Sequence, residues 1–155
     1  MGKILFVDDD TSMQMAIFKL VSSLGHEIDV ASDGIEGLSK FKKSNYDLVI
    51  TDMRMPNLDG KDFVKRLKII DKDAVIIVLT GYGSVPSAVE LIKLGAYDFL
   101  EKPINFEELE MSLNRALEKR QMESQLSFFK GMLLTIIISI PLWLILGVIL
   151  ALFWK

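Results

Sequence analysis

The sequence predicts an α/β domain, a doubly wound parallel sheet of five strands, followed by a single apolar helix long enough to span a membrane. Three observations carry this. Short, nearly continuous apolar runs alternate with segments of helical periodicity, as expected of strands covered on both faces. The loops between them are short. Every charged residue except Lys155 lies within residues 1–130, and residues 131–154 carry no charge.

The first run, Ile4-Leu5-Phe6-Val7, is a buried strand ending in Asp8-Asp9-Asp10. Thr11 or Ser12 is placed to cap a helix whose apolar face is Ala16, Ile17, Leu20, Val21 and Leu24, and Gly25 ends it. Residues 28–31 make a weaker strand. Asp33 with Glu36 has the spacing of a capping box for a helix bearing Ile35, Leu38 and Phe41. Leu48-Val49-Ile50 is the central strand. It runs to Asp52 and a loop with Pro56 and the turn signal Asn57-Leu58-Asp59-Gly60. Asp59 and Asp62 open a third helix with Phe63, Leu67 and Ile70 inward. Residues 74–79 are a β-branched run ending at Thr80-Gly81. Ser84 is placed to cap a fourth helix, with Pro86 tolerable in its first turn, and Gly95 ends it. Residues 97–100 form the fifth strand, before Glu101-Lys102-Pro103. Asn105 with Glu108 caps a fifth helix with Leu109, Leu113, Ala116 and Leu117 inward. The domain boundaries read as 1–120 for the α/β domain, 121–130 for a helical connector and 131–154 for the apolar helix.

Composition narrows the function. Residues 1–130 hold seventeen of the eighteen Lys and Arg and all twenty-one Asp and Glu, a net charge of −4. That balance argues against non-specific nucleic-acid binding, and no nucleic-acid partner is expected. The chain has no cysteine and one histidine, His26, which argues against thiolate or histidine-rich metal sites and a Ser-His-Asp triad. His26 reads as a surface residue. Lys61, Lys65, Arg66, Lys68 and Lys72 make the third helix basic, a pattern of a solvated face.

In a doubly wound sheet the carboxyl ends of the strands share one edge, where ligand chemistry sits. Here they bring Asp8, Asp9, Asp52, Thr80 and Lys102. Three nearby carboxylates repel, and a hard divalent cation such as Mg²⁺ relieves this with oxygen ligands. A hydroxyl and an ammonium opposite suit phosphoryl oxygens. The set fits phosphoryl transfer to a carboxylate, with Asp52 as nucleophile.

Residues 1–120 resemble the receiver domain of two-component response regulators, a flavodoxin-like fold. The matching pieces are Val7-Asp8-Asp9-Asp10, Thr51-Asp52-Met53-Arg54-Met55-Pro56, Leu79-Thr80-Gly81 and Lys102-Pro103. The phrases from Thr51 to Pro56 and from Gly95 to Pro103 look most like receivers of the nitrogen-regulation activator class. The resemblance implies that Asp52 accepts a phosphoryl group from a histidine kinase or phosphotransfer protein. It implies that Asp9, Asp52 and the Arg54 backbone carbonyl hold Mg²⁺, with Asp8 assisting through water. Lys102 would pair with a phosphoryl oxygen, Thr80 would swing its hydroxyl toward it, and Phe99 would turn inward behind. Many family members have tyrosine at that position, so Phe99 would switch by packing alone. Arg54 and Tyr82 flank the site. The resemblance implies a switch that at most catalyses its own phosphorylation and dephosphorylation. The fourth helix, fifth strand and fifth helix form the family's usual output and dimerisation face, which implies an output partner and allows a homodimer.

Two other readings compete. Asp8-Asp9-Asp10-Thr11-Ser12 loosely matches the Asp-x-Asp loop of a haloacid-dehalogenase-like phosphatase, with Asp8 as nucleophile. That reading lacks an acidic pair after the fourth strand and a cap domain, and it leaves the Asp52 loop without a role. The other is a membrane-bound assembly module indifferent to phosphate.

As a helix, residues 131–154 reach roughly 36 Å, against a hydrocarbon core of about 30 Å. Phe128, Phe129, Phe153 and Trp154 fall near its ends, where an aromatic belt lies, and Trp143 falls mid-span. Pro141 is better tolerated in a membrane helix than in water, and Gly147 allows close helix contact. Lys119, Arg120 and Lys130 precede the span and Lys155 follows it. The positive-inside rule then puts residues 1–120 in the cytoplasm, anchored C-terminally in the cytoplasmic membrane by a single pass. The usual output domain of the resembling class is not expected.

Overall fold

Strands β1 (Lys3–Val7), β2 (Glu27–Ala31), β3 (Leu48–Asp52), β4 (Ile76–Thr80) and β5 (Asp98–Glu101) form one parallel sheet in the order β2-β1-β3-β4-β5. Helices α1 (Thr11–Ser23), α2 (Gly34–Lys43), α3 (Gly60–Ile70), α4 (Val85–Lys93) and α5 (Phe106–Phe153) follow the strands in turn. The structure, a computed structural model, describes residues 1–81 and 85–153, without the side chains of residues 85–88, 127, 142 and 144–153. The predicted cap Ser84, the flanking Tyr82 and the belt residue Trp154 lie outside the described residues, as does the side chain of Phe153. Two compact units divide the chain, Met1–Arg120 and Gln121–Lys155.

In the first unit the period of two sorts the strand residues onto two faces. Leu5, Val7, Val49, Ile76 and Val78 join Leu38 and Phe41 of α2 and Phe63, Val64 and Leu67 of α3 in one core. Ile4, Phe6, Leu48, Ile50, Ile77 and Leu79 join Ile17 and Val21 of α1 and Leu109, Leu113, Ala116 and Leu117 of α5 in the other. Helices on both faces make the sheet doubly wound, as the apolar runs predict.

The helix starts show what the sequence reading missed. Asp10, not Thr11 or Ser12, caps α1, accepting from the N–H groups of Ser12 and Met13. A carboxylate outdoes a hydroxyl there because it also meets the helix dipole. Asp33 caps α2 as expected, but Glu36 reaches back to the N–H and hydroxyl of Ser32 rather than to Asp33. Two residues expected inward are exposed: Ile35 at 57% and Ile70 at 42%. Ile35 sits on the first turn of α2 and Ile70 is the last residue of α3. Val64 takes the inward place on α3. Gly25 has φ +81°, the left-handed C-terminal stop that favours glycine. His26 is not a plain surface residue. Its Nδ1 accepts the Gly2 N–H at 3.1 Å, and burial lowers its pKa below 6.5.

The second unit is the remainder of α5. Among its described side chains Leu133, Leu134, Ile137, Ile138 and Trp143 are exposed. Pro141 is inside the helix. Thr135 donates to the carbonyls of Gly131 and Met132, and Ser139 to that of Ile136, so both hydroxyls are satisfied by their own helix. By length and composition the helix is long and apolar enough to cross a membrane.

Candidate functional site

Strand register assembles the site. Val7 pairs with Thr51, so the next residues, Asp8 and Asp52, leave adjacent strands at the same level. This is also where the connections diverge, β1 leading out to β2 and β3 leading the other way, which opens a crevice at the sheet's carboxyl edge. Backbone bonds fix the level of each strand end: Asp8 N–H to Ala31 O, Met53 N–H to Leu79 O and Lys102 N–H to Thr80 O, at 3.1, 2.8 and 2.8 Å. Asp52 and Thr80 are the last residues of their strands rather than the first of their loops.

Asp8, Asp9 and Asp52 converge, each offering a carboxylate oxygen within 4.8 Å of the others. Asp8 and Asp52 are buried, while Asp9 is exposed. Lys102 bridges the buried pair, its Nζ 2.8 Å from Asp52 Oδ1 and 3.1 Å from Asp8 Oδ2. The second oxygens are engaged too. Asp8 Oδ1 accepts the Asp10 N–H and Asp52 Oδ2 accepts the Arg54 N–H, both at 2.9 Å. Burial raises the pKa of Asp8 against the opposing pull of the Asp10 N–H and Lys102. Burial alone would lower that of Lys102, but its bonds to Asp52 and Asp8 prevail and raise it. Lys102 is therefore a fixed cation at neutral pH. One ammonium faces three carboxylates, so the cluster keeps an excess of negative charge and hard oxygen donors. That donor set fits Mg²⁺.

Thr80 is buried at the end of β4. Phe99 pairs with Val78 and is half-buried against the α2–α4 core, on the same side of the sheet as Val78. The peptide from Lys102 to Pro103 is cis. The basic third helix is partly tied down: Lys61 pairs with Glu90 of α4, Lys65 with Asp62 of its own helix, and Lys68 donates to the carbonyls of Lys72 and Ala74 in the following loop.

Three supporting residues escaped the sequence reading. Gln14 on α1 donates to the carbonyls of Asp8 and Ala31 at 2.6 and 3.3 Å, pinning the end of β1 under the site. Gly60 is more than a turn signal: a Cβ there would lie 2.5 Å from Asp52 O and 2.7 Å from Met53 Cα. Only glycine lets α3 start so close to the strand end that carries Asp52. Ser112, fully buried on α5, donates to Asp98 Oδ2 at 2.6 Å and fastens α5 to β5. Gly60 had a local signal in its turn, whereas Gln14 and Ser112 read as ordinary helix positions.

Fold and site together define a class: a doubly wound domain with an acidic pocket and a lysine at its switch point, equipped to handle a phosphoryl group. The chain belongs to the response regulator receiver domain family, which it matches over residues 4–114. It is similar to a receiver domain protein from Clostridium thermocellum, with 35% identity and a TM-score of 0.75 over 79% of this chain and 98% of that one. It is also similar to the transcriptional regulatory protein ZraR of Klebsiella oxytoca, 37% identical over 74% of this chain and 26% of that protein. With the transcriptional regulatory protein FixJ of Bradyrhizobium diazoefficiens it shares 36% identity over 77% of this chain and 58% of that protein. The chain thus spans between a quarter and three-fifths of these two regulators. Receivers of two-component response regulators are phosphorylated on an aspartate, exchange phosphoryl groups with histidine kinases or phosphotransfer proteins, and bind Mg²⁺ in an acidic pocket. They are switches rather than turnover enzymes. Family membership removes the dehalogenase-like reading with Asp8 as nucleophile. In the structure the two carboxylates are held alike: both are buried and paired with Lys102, Asp8 also accepting the Asp10 N–H and Asp52 the Arg54 N–H.

Proposed function

We propose that this chain is a membrane-anchored receiver whose phosphoryl acceptor is Asp52. The observation that carries the reading is Lys102 bridging Asp52 and Asp8 within a three-carboxylate pocket. An Asp52 carboxylate oxygen attacks the phosphorus of the donor, the bond to the leaving group breaks, and an acyl phosphate forms. Lys102 then pairs with a phosphoryl oxygen. Asp8, Asp9, Asp52 and the backbone carbonyl of Arg54 would hold Mg²⁺, which when bound offsets the charge on the phosphoryl oxygens. The hydroxyl of Thr80 turns toward the phosphoryl group and Phe99 packs in behind it, without a hydroxyl of its own to bond. Within the family the motif phrases favour the nitrogen-regulation activator class.

The donor is a histidine kinase or a phosphotransfer protein. Residues 121–130 serve as a connector and residues 131–154 as a single span of the cytoplasmic membrane, with the receiver in the cytoplasm. The exposed apolar side chains of the second unit and its self-satisfied hydroxyls support a lipid environment. Output is by protein contact at the α4–β5–α5 face, where Val89, Ile92, Phe106 and Met111 are exposed and where a homodimer can form. Transcriptional regulation is the role of the longer relatives, and no nucleic-acid contact is proposed for this acidic domain.

Incubation with Mg²⁺ and a small acyl phosphate tests the switch: the wild type takes up one phosphoryl group, and Asp52→Asn takes up none. Many turnovers of a phosphomonoester that survive Asp52→Asn would point to a phosphatase instead. A beryllofluoride titration with no Mg²⁺-dependent change in structure or association would leave an assembly module indifferent to phosphate.

A further inference from the structure

The receiver's charges are sorted between the two edges of its sheet. Because every helix follows a parallel strand, helix N-termini lie on the carboxyl edge and the C-termini of α1 to α4 on the amino edge. Carboxylates occupy the first set: Asp10, Asp33 and Asp59 as caps, with Glu36, Asp62, Glu107 and Glu108 in first turns. Lysines occupy the second: Lys42 and Lys43 at the end of α2, Lys68 in α3 and Lys93 in α4. The helix dipole favours both placements. The net negative charge therefore hides an acidic edge at the phosphoacceptor and a basic edge opposite.

On the amino edge several acids are neutralised. Lys3 pairs with Glu27 and Asp29 at 3.2 and 3.6 Å, and Arg120 with Asp71 at 3.0 Å. Lys42, Lys43, Lys72 and Lys93 are exposed and make no ion pair among the described residues. They outnumber the acids left near them, Asp47, Asp73 and Glu118. Next to Lys72, at the end of α3, Ile69 is 84% exposed and Ile70 42%. Arg120, the last residue of the first unit, is fixed on this same edge, donating to Asp71 Oδ2 and to the Asp73 carbonyl, each at 3.0 Å. The chain therefore leaves the receiver beside Ile69, Ile70 and Lys72. The connector to the uncharged run, residues 121–130, spans at most roughly 35 Å even when extended.

We propose that this amino edge, with Lys42, Lys43, Lys72 and Lys93 around Ile69 and Ile70, docks on an anionic lipid surface. The proposal rests on the membrane-anchor reading, which brings the edge within reach of a bilayer. The lysine ammoniums meet headgroup phosphates, and the two isoleucines enter the interfacial layer, the combination that holds basic juxtamembrane segments on anionic leaflets. The acidic edge with Asp52 then points away from the like-charged membrane and stays open to a phosphodonor.

The test places the full chain in nanodiscs of phosphatidylcholine alone or with about one third phosphatidylglycerol, and follows lysine acetylation by mass spectrometry. Lys72 and Lys93 should be labelled at least about threefold more slowly in the anionic discs, high salt should remove the difference, and Lys65, in mid-α3, should hardly change. A chain that enters both discs with equal labelling of Lys72 and Lys93 overturns the proposal. A chain that enters neither disc overturns the anchor reading instead. Flotation of residues 1–120, which contain both cores entire, then decides the docking. Capture by anionic but not neutral vesicles, lost in Lys72→Glu and kept in Lys65→Glu, supports it. Absence of capture, or equal loss in both variants, overturns it.

Discussion

The two units of this chain use apolar residues in opposite ways. In Met1–Arg120 most large apolar side chains of the strands are fully hidden, packed on both faces of the sheet by helices. In Gln121–Lys155 the described apolar side chains are exposed, and from Gly131 to Phe153 the helix carries no charged residue. The first unit closes its own core and needs only water around it. The second satisfies its described hydroxyls within its own helix and leaves its apolar side chains uncovered, the pattern behind the proposed membrane span.

Substitutions that touch one unit and not the other sharpen that comparison. Phe63 is fully buried between α3 and the sheet; Phe63→Ala should cost about 3–5 kcal/mol of receiver stability by urea unfolding. It should leave partition of the full chain into membranes unchanged. Conversely, Ile137→Arg puts a charge in the middle of the apolar helix, where insertion is opposed by about 2.5–3.5 kcal/mol. The chain should shift toward the soluble fraction with no change in the receiver's Tm; a drop in Tm would mean that the helix packs on protein. Gly60→Ala would drive a methyl into the backbone of Asp52 and Met53. It should cost about 1–3 kcal/mol and slow phosphorylation through displacement of the Asp52 strand end, again without effect on membrane partition.

The smallest expected effect concerns acid. Glu36 is held at about 2, below its ordinary 4.5, first by Lys40 and then by the N–H and hydroxyl of Ser32. A depressed carboxylate contributes stability that is complete above pH 4.5 and lost as pH falls toward about 2. Its side chain is 41% exposed, so solvent screening limits the contribution to at most about 1 kcal/mol. Glu36→Gln should therefore flatten the stability profile of the receiver over that window and leave it nearly unchanged at pH 2.

The strands and the site were legible in the sequence for a simple reason. Parallel strands buried on both faces must be apolar throughout, so a polar residue marks where each one ends. Asp8, Asp52, Thr80 and Lys102 stand at those ends, and register does the rest. The features that stayed hidden depend on approach in space. Gly60 reads as a turn until its nearness to the Asp52 carbonyl is known. Gln14 and Ser112 bond across elements from positions that look like ordinary helix surface and helix core. Ile35 and Ile70 fit the helical period, but the period does not say how far along a helix the sheet extends. The cap of α1 went to Asp10 because sequence spacing does not reveal where the strand's last bond leaves off.

The central claim is that Asp52 is the acceptor and that Lys102 and the carboxylates around it make it one. The most direct measurement is intact-protein mass after incubation with Mg²⁺ and a small acyl phosphate, for wild type, Asp52→Asn and Lys102→Ala. One phosphoryl group on the wild type, none on Asp52→Asn and a large loss on Lys102→Ala is the predicted result. Undiminished phosphorylation of Asp52→Asn, at any other residue, would contradict it.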